Sequence, residues 1–507
     1  MTVALAAPHH DAVAAGRQAA EAGGNALDAA LAAAVMLTVV YPHQCAIGGD
    51  LIAVVRAPGG ATHAVLAAGT APAAVLTAAG GWSRVPRQGA HAVTVPGIVA
   101  GWTAIAGLGA SRPLSGPFRG AARMAREGAV VSEGLARAIA SEGDAVVADP
   151  GLSSVFLDGD GRPLGAGEIF RQPALAGTLD RLAADPADIY TGETARRLVA
   201  ALRAAGGTHT EDDFAGYAPE VVPALTVDAA GRRWSVAPPP SAGVLVPAVV
   251  RAATSEEGAP VAALVGASLR GVAARGARLG DPRVSPVDID ALLALDGTAI
   301  SAAREARASG DTAAIVAIDD AGWAVTIVQS VYMTFGAGLL DPASGVLVHN
   351  RASAFVMDPA SPARLAPGAR PPHTLSPLIV EDGETVLVAG CQGGRAQPWI
   401  LSQLLAAPGS LHAPLDELLA RPRWVVGDVD LGFDQLTLVS EPGADPAAAI
   451  AAAAAGIRVA AFDGPADEAG HVQFVRIDAS GGVAAASDPR ADGAGIIVPT
   501  PKQEEQS

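Results

Sequence analysis

The apolar pattern of this chain changes period at Thr312, and no other feature restricts its fold as much. Before that point alanine-rich segments recur at helical spacing, over 98–145, 171–206 and 260–308. At the start, "DAVAAGRQAAEAGG" and "NALDAALAAAVMLTVVYP" read as two helices separated by Gly23-Gly24, the second capped by Asn25 and stopped at Pro42. In "AAGGTHTEDDF", Gly206-Gly207 ends one helix and Thr210 can cap the next. From Thr312 onward the runs are short and β-rich: "TAAIVAI", "WAVTIVQS", "GVLVHN", "TVLVAG" and "VQFVRI". Helices return at 396–406 and 445–456. The pattern predicts an α+β fold with an antiparallel sheet and a mostly helical first half, and it lacks the regular βαβ alternation of a doubly wound fold.

Composition narrows the function. Half of the 507 residues are hydrophobic, enough for a large core. A net charge of −17 without a basic cluster argues against nucleic acid as a partner. Cys45 and Cys391 are far apart and have no metal-ligand spacing, so a reduced compartment and no metal or other cofactor are expected. The N-terminus reaches a helix almost at once and shows no signal peptide, and 26–41 is shorter than the ~20 apolar residues that span a bilayer and carries Asp28. No membrane association and a cytoplasmic location are therefore expected. The tail "KQEEQS" reads as disordered.

Around the period change, "GDTAAIVAIDDAGWAVTIVQS" reads as a hairpin. A five-residue loop at 319–323 sets Thr312 opposite Ser330, Cβ atoms ~5 Å apart on one face, whereas a four-residue loop puts Gln329 there. Both residues are also ordinary strand residues, and spacing alone does not make them a site.

Blocks spread along the chain resemble those of the γ-glutamyltransferase family, in the family's order. They include "GGNALDAA" with "PHQCAIGGD", "HAVTVPGIVAGW", "IYTGETARRLVAAL", "PPPSAG", "RLGDP", "GDTAAIVAIDDAGWAV", "FGAG", "CQGG" and "ASDPR". The resemblance implies an N-terminal-nucleophile hydrolase: a four-layer αββα sandwich, made as a zymogen that cuts itself between Asp311 and Thr312. Segments 1–311 and 312–507 would then be large and small chains, intertwined as one domain and associated as a heterodimer, with further oligomerisation left open. It also implies that Thr312 is the nucleophile, that Ser330 hydrogen-bonds it, and that Gly393 and Gly394 supply oxyanion-hole N–H groups. An N-terminal threonine suits this chemistry because its α-amino group, reference pKa ~7.7–8, can serve as its own base.

The sequence departs from the glutathione-processing pattern. The family's carboxylate-pairing arginine falls on Ala68, the asparagine two residues past the Ser330 position on Tyr332, and the amino-binding aspartate on Ala354. Its acidic or amide residue becomes Arg351, and its paired serines become His373 and Thr374. Arg351 suits a carboxylate and disfavours an ammonium group. The combination resembles the branch containing oxamate amidohydrolases and cephalosporin acylases. The expected substrate is a small carboxylate-bearing amide, oxamate-like or glutaryl-like, with Arg351, His373, Thr374 and Tyr332 as binding residues. Two readings compete: a true γ-glutamyltransferase or glutathione hydrolase, and an uncut binding protein with the same fold. A cysteine amidase using Cys45 or Cys391 ranks last, because neither has a placed histidine–acid partner.

Overall fold

The computed structural model describes residues 2–254, 260–296, 310–428 and 431–499. Two antiparallel sheets lie face to face. The first has seven strands in the order Ala494–Pro499, Thr2–Ala7, Gly310–Asp319, Ala324–Met333, Asp50–Arg56, Thr62–Ala67 and Glu220–Pro223. The second has six: Val483–Ser487, Val472–Ile477, Thr385–Cys391, Leu378–Asp382, Arg232–Val236 and Leu225–Ala229.

The two-residue strand period builds the layers. In strand 310–319, Ala313, Ile315 and Ala317 pack with the N-terminal helices, whereas Ala314, Val316 and Ile318 pack with Ile379, Val388 and Val475 of the second sheet. On the far side, Trp234, Val236, Leu387 and Ala389 pack under helices Leu245–Thr254, Pro260–Arg278 and Gln397–Leu405. The result is a four-layer αββα sandwich. Close approach of the sheets depends on Gly390, where an added Cβ would come within 2.9 Å of the Ala314 Cβ.

Helix Ala26–Val40 is buried along its whole length and starts where expected. The Asn25 side chain accepts from the N–H groups of Leu27 and Asp28, and Asp28 returns a bond to Asn25 N–H. The Asp319 carboxylate also accepts from Ala26 N–H at 2.9 Å, tying the hairpin turn to that helix. Thr210 likewise caps helix Glu211–Ala215.

Several expectations change. The chain opens with strand Thr2–Ala7, sandwiched between two strands, because "TVALAA" is apolar at both parities and buries both faces. Strands also occupy 220–236, within the half that reads as helical. The helical tract from 260 stops at Arg278, before Gly280 and Pro282, and is followed only by the short helix Ile289–Leu293; 297–308 lies outside the described residues. "GVLVHN" reduces to the two-residue strand Val346–Leu347. The tail beyond 499 also lies outside the described residues. Among the described residues no helix is long and apolar enough to cross a membrane.

Candidate active site

The hairpin closes through a five-residue loop: Ile318 pairs with Ala324, and Asp319 N–H donates to Trp323 O at 2.9 Å. The register carries Ala313 opposite Gln329, and an irregularity follows between Gln329 and Tyr332. At that point Thr312 Oγ1 donates to Ser330 Oγ at 3.2 Å, both residues buried. Ser330 Oγ also accepts from Tyr332 N–H at 2.8 Å, so the hydroxyl is held from its own strand. On its other side Ser330 pairs with Asp50 in strand Asp50–Arg56. Directly paired residues of an antiparallel sheet present side chains to one face. Asp50, Ser330 and Thr312 thus form a row across three adjacent strands.

Gly393 and Gly394 follow strand Thr385–Cys391 and open a 3-10 turn that lies near strand 310–319. Their φ angles, +148° and +50°, fall where glycine is favoured, and a Cβ on Gly393 would come 2.7 Å from Ile400 Cδ1. Among the described residues neither glycine N–H donates to a protein acceptor. Such a pair of open amides can receive a developing oxyanion.

Two cavities adjoin this region. One, of about 350 Å³, has Tyr332, Arg351, His373, Thr374 and Arg395 in its wall. The other, of about 270 Å³, has Gln44, Thr334, Gly393, Gly394 and Arg395. They meet at Arg395, Val426 and Gly427. Thr312 and Ser330 are not among the walls of either. The hairpin reaches the first cavity through Tyr332, which pairs with Asp311 in the ladder and has φ +80°.

Arg351 is only 2% exposed. Its guanidinium lies over the Tyr332 ring, 4.0 Å from the centroid, and its Nη2 donates to Pro372 O at 2.7 Å. This fixes the cation against the cavity. Ala354 lies in the same wall and Ala68 is buried. The structure thus brings Tyr332, Arg351, His373 and Thr374 together at one cavity and Thr312 with Ser330 at the end of the hairpin.

Sequence reasoning missed Asp50 and His349. Asp50 Oδ1 accepts from Gly69 N–H at 2.9 Å; its Oδ2 lies 3.1 Å from His373 Nε2 and 3.5 Å from His349 Nδ1. Burial raises the Asp50 pKa, but His349 and His373 more than offset it and hold the carboxyl well below the usual range. Burial lowers His373 to about 4, and Arg351 adds to the effect while Asp50 opposes it. The available signal was a lone acid in "GGDLIAVV", heading an otherwise apolar strand.

Cys45 is buried, and burial pushes its thiol up to about 12. Burial also raises the thiol of Cys391, whose Sγ lies 2.6 Å from Gln392 O. Neither is poised as a thiolate nucleophile.

Comparison with known proteins agrees with the geometry. The oxamate amidohydrolase proenzyme of Klebsiella pneumoniae subsp. pneumoniae is 33% identical, over 96% of this chain and 97% of that one. The glutathione hydrolase-like YwrD proenzyme of Bacillus subtilis is 29% identical, over 83% of this chain and 85% of that one. Among solved structures, cephalosporin acylase from Bacillus halodurans matches with a TM-score of 0.85 at 26% identity, covering 98% of this chain and 95% of that one. The family model described as gamma-glutamyltranspeptidase matches residues 12–498, so the chain belongs to the gamma-glutamyltranspeptidase family.

Proposed function

We propose that the protein is a self-processing amidohydrolase that cleaves the amide of a small, carboxylate-bearing acyl group through a threonyl acyl-enzyme. The observation that carries the chemistry is the 3.2 Å contact of Thr312 Oγ1 with Ser330 Oγ, beside the open glycine amides. In processing, Thr312 Oγ1 bonds to the Asp311 carbonyl carbon, the Asp311–Thr312 C–N bond breaks, and the hydroxyl proton passes to the departing nitrogen. Water then cleaves the ester, leaving an Asp311 carboxylate and a free Thr312 amine. The mature chains stay together as a heterodimer, since each sheet contains strands from both sides of the cut and, in the first, Thr2–Ala7 lies between strands 494–499 and 310–319. Turnover repeats the acyl transfer on substrate, with the amine as base and the Gly393 and Gly394 amides on the oxyanion.

Buried Arg351, stacked on Tyr332, favours a carboxylate-bearing acyl group over a γ-glutamyl head, whose ammonium would meet the same cation. Relatives named for oxamate and for cephalosporins support that choice, and those named for glutathione keep the γ-glutamyl reading as the alternative. A cytoplasmic site of action belongs to the same proposal. The test is hydrolysis by processed enzyme of oxamate and glutaryl-p-nitroanilide against γ-glutamyl-p-nitroanilide. Preference for the γ-glutamyl compound would reverse the assignment.

A further inference from the structure

The row Asp50, Ser330, Thr312 contains one residue that the proposed chemistry leaves without a role. Asp50 is fully buried at the head of an apolar strand, paired with Ser330, and its second carboxylate oxygen meets His373. An ionised carboxylate only accepts, so the His373 nitrogen it faces at 3.1 Å carries the proton. In the neutral ring Nδ1 is then an acceptor, and it has no hydrogen-bond partner among the described residues. The main chain that carries the ring is pinned on both sides, and Asp50 holds the ring at Nε2. His373 N–H donates to Pro240 O at 2.7 Å, and His373 O accepts from Ala242 N–H at 2.8 Å. Behind Asp50, His349 is braced by Thr94, its Nε2 lying 3.1 Å from Thr94 Oγ1 and 3.0 Å from Thr94 O. A buried acceptor without a donor is costly, and here it belongs to a residue in the wall that holds Arg351.

We propose that Asp50 is a positioning residue that fixes His373 with Nδ1 as an acceptor beside Arg351, so that the site takes acyl groups bearing a carboxylate and, on the adjoining carbon, a neutral donor such as a hydroxyl. This rests on the threonyl acyl-enzyme reading and on the cavity as the acyl site. Arg351 binds the carboxylate, and His373 Nδ1 accepts a hydrogen bond from the hydroxyl, which keeps its proton. The facing charged and titratable groups are Arg351, Asp50 and His349, and the low pKa of His373 keeps its ring neutral near pH 7.

The test compares two p-nitroanilides on processed enzyme: glutaryl, and 4-carboxy-4-hydroxybutyryl, which differs by the one hydroxyl. Wild type should favour the hydroxylated compound by about fivefold in kcat/KM, the size of one neutral hydrogen bond. Asp50→Asn should bring the two together, mostly through KM. In ¹⁵N-histidine spectra, the resonances lost in His373→Gln should show an unprotonated Nδ1 in wild type. Equal use of both anilides by wild type would overturn the proposal, as would a protonated Nδ1 or an Asp50→Asn enzyme that keeps the preference. If Asp50→Asn fails to fold, the wild-type comparison and the spectrum decide. Turnover of neither anilide by wild type would strike the acyl-enzyme reading instead, and the Nδ1 state would then decide the role of Asp50.

Discussion

Thr312 and Ser330 meet hydroxyl to hydroxyl, 3.2 Å apart, where the hairpin ladder becomes irregular. In the proposed chemistry Ser330 orients the threonine and supplies no reacting atom. Ser330→Ala should therefore slow both self-cleavage and substrate turnover by about ten- to a hundredfold, the range expected for loss of one hydrogen bond to a reacting group. A gel time course and kcat on the processed variant measure the two effects. Wild-type rates in both would remove Ser330 from the account.

Arg351→Ala should lower kcat/KM for carboxylate-bearing amides by about ten- to a hundredfold, since a charge-assisted bond is worth ~1.5–3 kcal/mol. An uncharged amide should lose far less, and self-cleavage should persist. Parallel kinetics on the two substrate types give the comparison. Equal losses on both would place Arg351 in the framework, where its stacking on Tyr332 would be its whole contribution.

Cysteine chemistry gives an independent check. With the Cys45 thiol pushed up to about 12 and both cysteines buried, native enzyme should resist alkylation, and Cys45→Ala and Cys391→Ala should keep activity within about threefold. Loss of turnover in a folded, processed Cys391→Ala protein would revive the cysteine reading.

Much of the fold could be read from local pattern, because the signals act within a few residues. Asn25 with Asp28 marks a helix start, and the five-residue spacing of Asp319–Trp323 sets a register that puts Thr312 on Ser330. What stayed hidden depends on distant partners. Strand Thr2–Ala7 is recruited between 494–499 and 310–319, pairings that no local period encodes. Asp50 and His373 are 323 positions apart and meet only because Asp50 leads a strand of one sheet while His373 lies on a loop crossing the same end. Arg351 was legible as a cation out of place; its support by Tyr332 and Pro372 was not.

The buried histidines predict an acid limit. Burial lowers His43 to about 3 and His9, His209 and His373 to about 4. Between about pH 6.5 and 4 the unfolded chain takes up protons that the folded rings refuse, so stability falls as pH falls through that window, by on the order of 3 kcal/mol per ring at most. Asp467 works in the same direction at lower pH: burial raises it, but His471 and Arg137 outweigh burial and hold it at about 2. That contribution is present above about pH 4 and is lost as pH drops through about 2. The urea midpoint should therefore fall from pH 7 to pH 5. An unchanged midpoint would contradict neutral buried rings.

The central claim is that Thr312 becomes an N-terminus. N-terminal sequencing of the purified, folded protein after prolonged incubation tests it directly. The account predicts two chains, one beginning Thr-Ala-Ala-Ile, together with a Thr312→Ala protein that stays whole and a Thr312→Ser protein that is cut. A single intact chain from folded, soluble wild type, or a cut at any other bond, would contradict it.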